Sequence, residues 1–266
     1  MATVNNEDPR MVSHEQMLRR GLRVAQAHVG NQKHKAVIGD FKSHYGIHPK
    51  QCARVWKDLI ERNIIEDGEE DLLGFFAALS FLKEYDREKK RRGIFKMNVK
   101  PLRELTWRWV EILAALKPYK IVWPSDDEWV TTFIISVDGT HRRTNEPRHP
   151  EVRKHGSYYS HKFHKAGINH EVALHLFKQN VVHAKNFDLG SEQDKTIFKK
   201  ELLQKIPPGK RVVCDNGYEG LPDIFSAYNQ FDTEQVKWFK NRAKSRHESF
   251  NNLLIKTFQT TVQKGL

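Results

Sequence analysis

The chain has 266 residues and a formal net charge of +12, from 45 Lys and Arg against 33 Asp and Glu. Hydrophobic residues make up 38% and charged residues 29%, which is typical of a folded protein and excludes a disordered one. No apolar stretch reaches the roughly 20 residues of a membrane-spanning helix, and the N-terminus shows no secretory signal. Two cysteines, Cys52 and Cys214, exclude a disulfide framework and an all-cysteine zinc site. The excess of positive charge favours nucleic acid as a partner, the alternative being an ordinary basic enzyme.

The periodicity of apolar residues changes near residue 125. Before this point it is helical, and after it short apolar runs alternate with turn signals. We therefore expect an N-terminal tail and first helix over 1–30, a helical region over 31–124, and a mixed α/β domain over 125–266.

Two units in the helical region have the layout of a helix-turn-helix motif. In the first, Gly46 and Pro49 interrupt the pattern, and an amphipathic helix starts at Pro49. The second is predicted as a helix over 83–95, a turn over 98–101 and a helix over 102–116. The exposed face of the helix from Pro49 carries the candidate nucleic-acid-binding residues Lys50, Arg54 and Lys57. The alternative for both units is a helical hairpin that packs on a larger domain.

A basic run over 87–92 lies in the second unit. Such a run contacts phosphate, acts as a nuclear import signal or, more commonly, forms a solvated helix face.

The second half of the chain reads as strands followed by helices. A buried strand is predicted over 131–138 because four apolar residues precede Asp138, and Asp138-Gly139 is expected to end it. A long helix capped by Asp232 closes the pattern. The other predicted elements are strands over 158–164 and 168–176, a strand from 181, a helix over 194–206 and a strand over 211–215.

Two of these strands end in an Asp that a Gly follows closely, at Asp138 and Asp215. If the strands are neighbours, both carboxylates project from one sheet edge, and Glu248 on the last helix leans over that edge. Three convergent carboxylates repel one another unless divalent cations neutralise them. Oxygen ligands favour Mg²⁺ or Mn²⁺ over zinc, and two such ions would support phosphoryl transfer. Each Asp alone has a simpler reading as a turn residue, and Glu248 as a solvated glutamate.

The last helix surrounds Glu248 with positive charge. A single acid in a basic helix suits a site that binds a polyanion and also holds a metal ion. The alternative is that these side chains face solvent. The candidate nucleic-acid-binding residues here are Lys240, Arg242, Lys244 and Arg246.

In these segments the chain resembles DDE-type transposases of the Harbinger/PIF-like group. The resemblance covers roughly residues 72–258, and its five strongest segments are 137–141, 159–168, 190–198, 207–218 and 240–251. It implies an RNase H-like mixed sheet flanked by helices and preceded by an all-α, helix-turn-helix-like region.

The resemblance also implies an activity: cutting DNA at transposon ends and joining the 3′-hydroxyl to target DNA with two Mg²⁺ or Mn²⁺ ions. The family's metal-binding catalytic triad falls on Asp138, Asp215 and Glu248. Asp194, His141 and His247 are supporting candidates, with structural roles as their alternatives. The resemblance further implies a nuclear location, and it allows a Myb-like DNA-binding partner protein and a homo-oligomer.

The chain departs from this family pattern at two places. Position 193 is Gln where many relatives have His, and the chain ends soon after Glu248 where relatives continue, which implies a C-terminal truncation. Two other functions therefore stay open. One is a transposase-derived DNA-binding protein without catalysis, and the other is a host nuclease that acts on RNA or structured DNA.

Overall fold

The structure is a computed structural model that describes residues 8, 10–27, 33–66, 72–144, 151, 156–185, 188–221, 225–226 and 231–257. These residues form two compact units. The first ends at Lys117, and the second runs from Pro118 to Lys256. A one-turn helix, Lys117–Lys120, spans the point of division. The predicted domain limits at residues 30 and 124 stay predictions.

The first unit is all helical. Its core forms around the helix Leu72–Glu84, which is apolar on every side and buries Phe75 completely. Trp56 and Trp109 stack on each other with ring centroids 5.7 Å apart, and both rings contact Phe75. Burial of these aromatic rings supplies much of the hydrophobic stabilisation of the unit. The helices are α1 (His14–Val24), α2 (His34–Tyr45), α3 (Pro49–Glu61), α4 (Leu72–Glu84), α5 (Glu88–Phe95) and α6 (Val99–Ala114).

The first helix-turn-helix-like pattern forms α2 and α3. Gly46 ends α2 at φ 78°, a left-handed conformation that glycine adopts without strain. Pro49 then occupies the first turn of α3, and the side chain of His48 accepts a hydrogen bond from the backbone of Lys50.

The second pattern differs from the prediction at both helices. The predicted helix over 83–95 is wrong, because α4 ends at Glu84 and α5 begins at Glu88, with Tyr85 between them at φ 49°. The predicted turn over 98–101 is also wrong. The last helix of the pair begins at Val99, since proline is tolerated in a first helical turn.

Among its described residues, the second unit contains a mixed sheet with helices packed on it. We number the one-turn helix Lys117–Lys120 α7. The strands are β1 (Phe133–Arg143), β2 (Tyr159–Ser160), β3 (Lys165–His175), β4 (Val181–Ala184), β5 (Asp188–Leu189), β6 (Arg211–Val213) and β7 (Phe225–Ser226). The helices are α8 (Asp194–Lys200) and α9 (Glu234–Thr257).

The sheet has the strand order β2-β3-β1-β6-β7, and β4 and β5 also pair with β3. Strand β1 is antiparallel to β3, in a register from Ile135 opposite His175 to Arg143 opposite Gly167. Strands β6 and β7 are parallel to β1 and to each other. An antiparallel meander followed by parallel strands, with helices on the sheet, is the RNase H-like arrangement. The predicted fold class is therefore confirmed.

The two faces of the sheet pack against different helices. Phe198 of α8 lies with Val137 and Tyr218 in an apolar core on one face. On the other face, His247 of α9 contacts Ser136 of β1. Because side chains alternate along a strand, Asp138 points to the same side as Ser136, and Gly139 to the side of α8.

Several predicted strands and helices have different limits in the structure. Strand β1 does not end at Asp138, because residues 139–143 continue to pair with β3. The predicted strand over 158–164 shrinks to Tyr159–Ser160, and a turn follows before β3. The predicted helix over 194–206 ends at Lys200 and is followed by a separate 3₁₀ turn, Leu203–Lys205.

The start of the last helix also differs. It begins at Glu234, and the hydroxyl of Thr233 accepts from the backbone N–H of Val236 at 3.4 Å. Asp232 instead accepts a hydrogen bond from the ammonium group of Lys240 at 2.6 Å. Thr233, rather than Asp232, therefore caps α9. The predicted strands over 168–176 and from 181 are confirmed as β3 and β4.

Among the described residues, none of the helices combines the length and the apolar composition that crossing a membrane requires.

Candidate active site

The three acids that the sequence singles out line one cavity of about 200 Å³ in the second unit. Asp138 comes from the middle of β1, Asp215 from the segment after β6, and Glu248 from α9. Parallel pairing of β1 with β6 brings the first two acids to neighbouring strands. The cavity is also lined by Ser136, Val137, Lys162, Val213, Cys214, Lys244 and His247.

Asp138 is the most buried acid of the three. One of its oxygens, Oδ2, accepts a hydrogen bond from the side-chain amide of Asn251 at 2.8 Å. Burial raises the pKa of Asp138 to about 6, and the negative charges of Asp215 and Asp194 act in the same direction. Lys162 and the hydrogen bond from Asn251 oppose this rise in pKa. The carboxylate therefore lies in a site that disfavours its charge unless a cation is present.

Asp215 is held by its own backbone. Its Oδ1 accepts from the N–H of Gly217 at 2.9 Å, which fixes the side chain at the start of the 3₁₀ turn Asn216–Tyr218. This is the capping geometry that Asp favours at a turn. The capping role and a position on the cavity wall are therefore compatible.

Glu248 reaches the cavity from the solvent side. Its side chain is 56% exposed and lies 4.0 Å from the ammonium group of Lys244, one helical turn earlier. In the part of the chain that the structure describes, no group of three His, Cys, Asp or Glu side chains is close enough to hold a metal ion. The helix thus places Glu248 at the same cavity as the two aspartates without bringing it to a common coordination point.

Asp194 lies behind the cavity, at the start of α8. Its Oδ1 accepts a hydrogen bond of 2.7 Å from the side-chain amide of Asn169, which is fully buried. A side chain in place of Gly139 would collide with that same oxygen. Asp194 is therefore on the α8 side of the sheet, whereas Asn251 approaches Asp138 from the α9 side.

The donor atoms around the cavity suit a hard divalent cation. All the acids present carboxylate oxygens, the ligands that Mg²⁺ and Mn²⁺ prefer. One buried amide oxygen, Oδ1 of Asn251, has no hydrogen-bond partner among the described residues, and the amide nitrogen of the same side chain donates to Asp138. Unpaired buried oxygens beside carboxylates are what a cation or an ordered water would satisfy. The residues present therefore fit such an ion in chemical type.

The two histidine candidates both form hydrogen bonds within the domain. Nδ1 of His247 lies 3.0 Å from the hydroxyl of Ser136, and burial lowers the pKa of His247 to about 4. His141 lies 3.0 Å from the hydroxyl of Ser160, and burial also lowers its pKa. Both imidazoles are therefore neutral at pH 7. His247 lines the cavity and also ties α9 to β1.

The four candidate nucleic-acid-binding residues of α9 divide into two pairs. Lys240 is buried and bonded to Asp232, while the guanidinium of Arg246 donates to the backbone carbonyls of His175 and Leu176. Arg242 and Lys244 are exposed. The first pair holds the domain together, and only the second pair presents its charge at the surface.

In the first unit, the exposed face of α3 carries Lys50, Arg54 and Lys57, with Lys57 lying 3.5 Å from Glu61. The basic run over 87–92 is less open than its sequence suggests. Its Arg91 is buried and donates to Thr106 and to the carbonyl of Ala77.

Sequence reasoning did not select three residues of this neighbourhood as site residues: Lys162, Asn169 and Asn251. The signal for Asn169 is a polar residue on a strand whose two faces are both buried, since such a residue needs a partner. Lys162 lies in a turn before β3 and Asn251 one turn after His247, so only the folded chain shows that they reach Asp138.

The fold and the acid-lined cavity together define an RNase H-like domain of the kind that carries nucleases. Residues 137–265 match the family model described as DDE superfamily endonuclease. This match starts in β1 and suggests nuclease or transposase activity. The superfamily generally uses divalent metal ions, and a nuclease of this type would act on DNA. No curated protein matched the chain.

Proposed function

We propose that this protein is a metal-dependent DNA endonuclease and strand transferase, a transposase of the Harbinger/PIF-like group. It cuts one strand at the ends of a transposon and joins the freed 3′-hydroxyl to target DNA. The observation that carries the proposal is the convergence of Asp138, Asp215 and Glu248 on one cavity of an RNase H-like domain. The match of residues 137–265 to the endonuclease family supports it.

Within this proposal, Asp138 and Asp215 hold the divalent cations, and Glu248 completes the site. When bound, Mg²⁺ or Mn²⁺ would activate the attacking oxygen and stabilise the leaving oxygen. Glu248 is exposed and is not bonded to either aspartate, so it is able to turn inward when cations are bound. Asn251 keeps Asp138 oriented toward the cavity through its hydrogen bond.

Positively charged side chains of the protein bind the DNA backbone in this proposal. Lys162 and Lys244 line the cavity and are exposed, so they are positioned to neutralise a phosphate there. Arg242 extends the basic surface of this domain, and the first unit carries a basic surface of its own on the exposed face of α3. We further propose a nuclear location, a Myb-like partner and a homo-oligomer. These three points rest on the sequence resemblance.

A nicking assay tests the proposed activity. The purified protein is incubated with duplex DNA carrying candidate transposon ends, with Mg²⁺, Mn²⁺ or EDTA. We expect nicking with either metal and none with EDTA. Asp215→Asn removes one charge and is expected to lower the nicking rate by at least 100-fold, whereas the exposed Asp127→Asn retains the wild-type rate. Wild-type nicking by the Asp215→Asn variant would refute the assignment of this site. The same assay on RNA–DNA hybrids tests the alternative of a host nuclease, which would cut the hybrids.

One observation favours a second function, DNA binding without catalysis. Glu248 lies beside Lys244 rather than beside the aspartates, and the described acids do not gather around a single point. A protein that had lost catalysis would need only its basic surfaces.

A thermal shift with metal distinguishes the two functions. A cation that binds only the folded state raises the melting temperature as its concentration increases. If the site binds metal, millimolar Mn²⁺ therefore raises the melting temperature of the protein, and the Asp215→Asn variant loses most of that increase. If wild type and variant melt at the same temperatures with and without Mn²⁺ while DNA still binds, the non-catalytic function is favoured.

A further inference from the structure

Asp194 fits into a space that Gly139 leaves open. Gly139 follows Asp138, and a Cβ atom at this position would collide with Oδ1 of Asp194. A Cβ atom on Gly217 would lie 3.4 Å from Oδ2 of Asp194 and 3.0 Å from Oδ1 of Asp215. The two carboxylate oxygens of Asp194 therefore face the backbone beside each of the two aspartates that line the cavity.

Asn169 fixes Asp194 in this position. Its amide nitrogen donates to Oδ1 of Asp194 at 2.7 Å, and the whole side chain is buried. The amide oxygen of Asn169 has no hydrogen-bond partner among the described residues. It lies 3.1 Å from the position that a Cβ atom on Gly139 would occupy. An unpaired buried oxygen next to a carboxylate requires a hydrogen-bond donor or a cation nearby.

No ion pair neutralises Asp194 within the described residues. The nearby buried acid Asp188 does have ion pairs, since it lies 2.7 Å from Lys185 and 3.3 Å from Lys200. Oδ1 of Asp194 instead lies against the backbone of Gly139, the residue that follows Asp138. Neighbouring carboxylates repel one another, and such repulsion is tolerated where a cation binds.

We propose that Asp194 is a positioning residue of the acidic site. It adds a negative charge behind Asp138 and Asp215, which increases the affinity of the cavity for a divalent cation, and Gly139 is needed because Asp194 occupies the space next to it. Asp194 does not line the cavity, so it acts through the two aspartates and not by touching substrate. This inference rests on the proposed function.

A Mn²⁺ titration monitored by thermal unfolding of the full chain tests the charge. Asp194→Asn keeps an oxygen that accepts from Asn169 but removes the charge. It is expected to raise the Mn²⁺ concentration for half-maximal stabilisation by about tenfold, a change of about 1.4 kcal/mol. Glu192→Gln is the matched control, since its carboxylate pairs with Lys200, and it should stay within twofold of wild type.

A double-mutant cycle in EDTA tests the geometry independently of metal. Gly139→Ala should lower the melting temperature of the wild type by several degrees, because its methyl group meets Asp194. In an Asp194→Ala background the same change should cost less than half as much. If the cost is equal in both backgrounds, Asp194 does not occupy the space beside Gly139, and the inference is wrong.

The two proposals fail in different ways. If wild type gains stability with Mn²⁺ and Asp194→Asn has the same half-maximal concentration, the inference about Asp194 is overturned and the proposed function stands. If wild type gains no stability at any Mn²⁺ concentration, the proposed metal-dependent function fails, and the role of Asp194 in cation binding fails with it. A merely structural Asp194 would lower the melting temperature in EDTA without changing the Mn²⁺ dependence.

Discussion

The side-chain amide of Asn251 donates to Oδ2 of Asp138 across 2.8 Å, and this bond joins the last helix to the central strand at an acid of the candidate site. The two residues are separated by 113 positions in the sequence. Asn251 is also buried, so the bond is shielded from water. It therefore both orients the acid and anchors the helix.

Asn251→Ala is expected to lower the free energy of unfolding by about 1–3 kcal/mol, because a buried carboxylate loses its donor. Urea unfolding followed by circular dichroism measures the change. Asn252→Ala, one residue later and exposed, should stay within about 0.5 kcal/mol of wild type. Equal effects of the two substitutions would show that the bond contributes nothing.

Arg242 and Arg246 are expected to have separate roles although they lie one turn apart. Arg246→Ala removes the donors to the carbonyls of His175 and Leu176 and should lower the free energy of unfolding by about 2 kcal/mol. Arg242→Ala should leave stability nearly unchanged but weaken DNA binding. It should also reduce the slope of log affinity against log salt by about 1. Thermal melting and fluorescence anisotropy at several salt concentrations measure both. A stable Arg246→Ala variant with the larger loss of DNA affinity would contradict the division.

Gly74 and Gly93 are both helical glycines of the first unit, and alanine should have opposite effects at the two. A Cβ atom on Gly74 would collide with the indole of Trp109, which is fully buried. Gly74→Ala should therefore destabilise this unit by several kcal/mol, as overpacking does. Nothing lies within 4 Å of the corresponding position on Gly93. Gly93→Ala should stabilise by about 0.5–1 kcal/mol, since alanine favours helix. Thermal unfolding of the two variants shows whether each substitution lowers or raises the stability.

Glu171 makes the stability of the second unit depend on pH. It is 1% exposed, its oxygens have no hydrogen-bond partner among the described residues, and burial raises its pKa to about 8. The groups that face it include Lys185, which lowers the pKa, and Asp194, Asp188 and Glu201, which raise it. His183 lies 4.0 Å away.

Because the folded-state pKa is raised, the stability contribution of protonated Glu171 is complete below about pH 4.5 and is lost as pH rises through about 8. Glu171→Gln cannot ionise, so its melting temperature should exceed that of wild type by an amount that grows between pH 5 and 8 and then levels off. The exposed Glu219→Gln serves as the control. A constant difference between Glu171→Gln and wild type across this range would contradict the prediction. Melting curves at pH 5, 6.5, 8 and 9 decide it.

Strand β3 could be predicted from sequence because apolar residues alternate there with a period of two, and β4 because two adjacent valines favour a strand. The limits of β1 could not be predicted, because residues 139–143 belong to the strand through their pairing with β3 and not through an apolar pattern of their own. The break between Glu84 and Glu88 was missed for a related reason. The charged run after Tyr85 looks helical by itself, while tertiary packing ends α4 at the edge of its apolar core.

The sequence pointed to Asp138, Asp215 and Glu248 because each is an acid beside an apolar element, and the structure places all three on one cavity. Their catalytic roles stay a prediction. The partnership of Asn169 with Asp194 could not be predicted, since it depends on how α8 packs across β3. Lys240 is buried and Arg242 is exposed because of the way α9 is rotated about its axis. The sequence does not show this rotation, since basic residues are spread evenly along the helix.

The long pairing of β3 with β1 limits how this domain can change its length during evolution. A strand presents alternate residues to opposite sides, so one residue inserted within β3 would move Asn169 and Glu171 from the α8 side to the α9 side. Asp194 would then lose its donor, and a carboxylate would arrive next to α9. Insertions and deletions should therefore be found in the turns on either side of β3, and inside the strand only in steps of two.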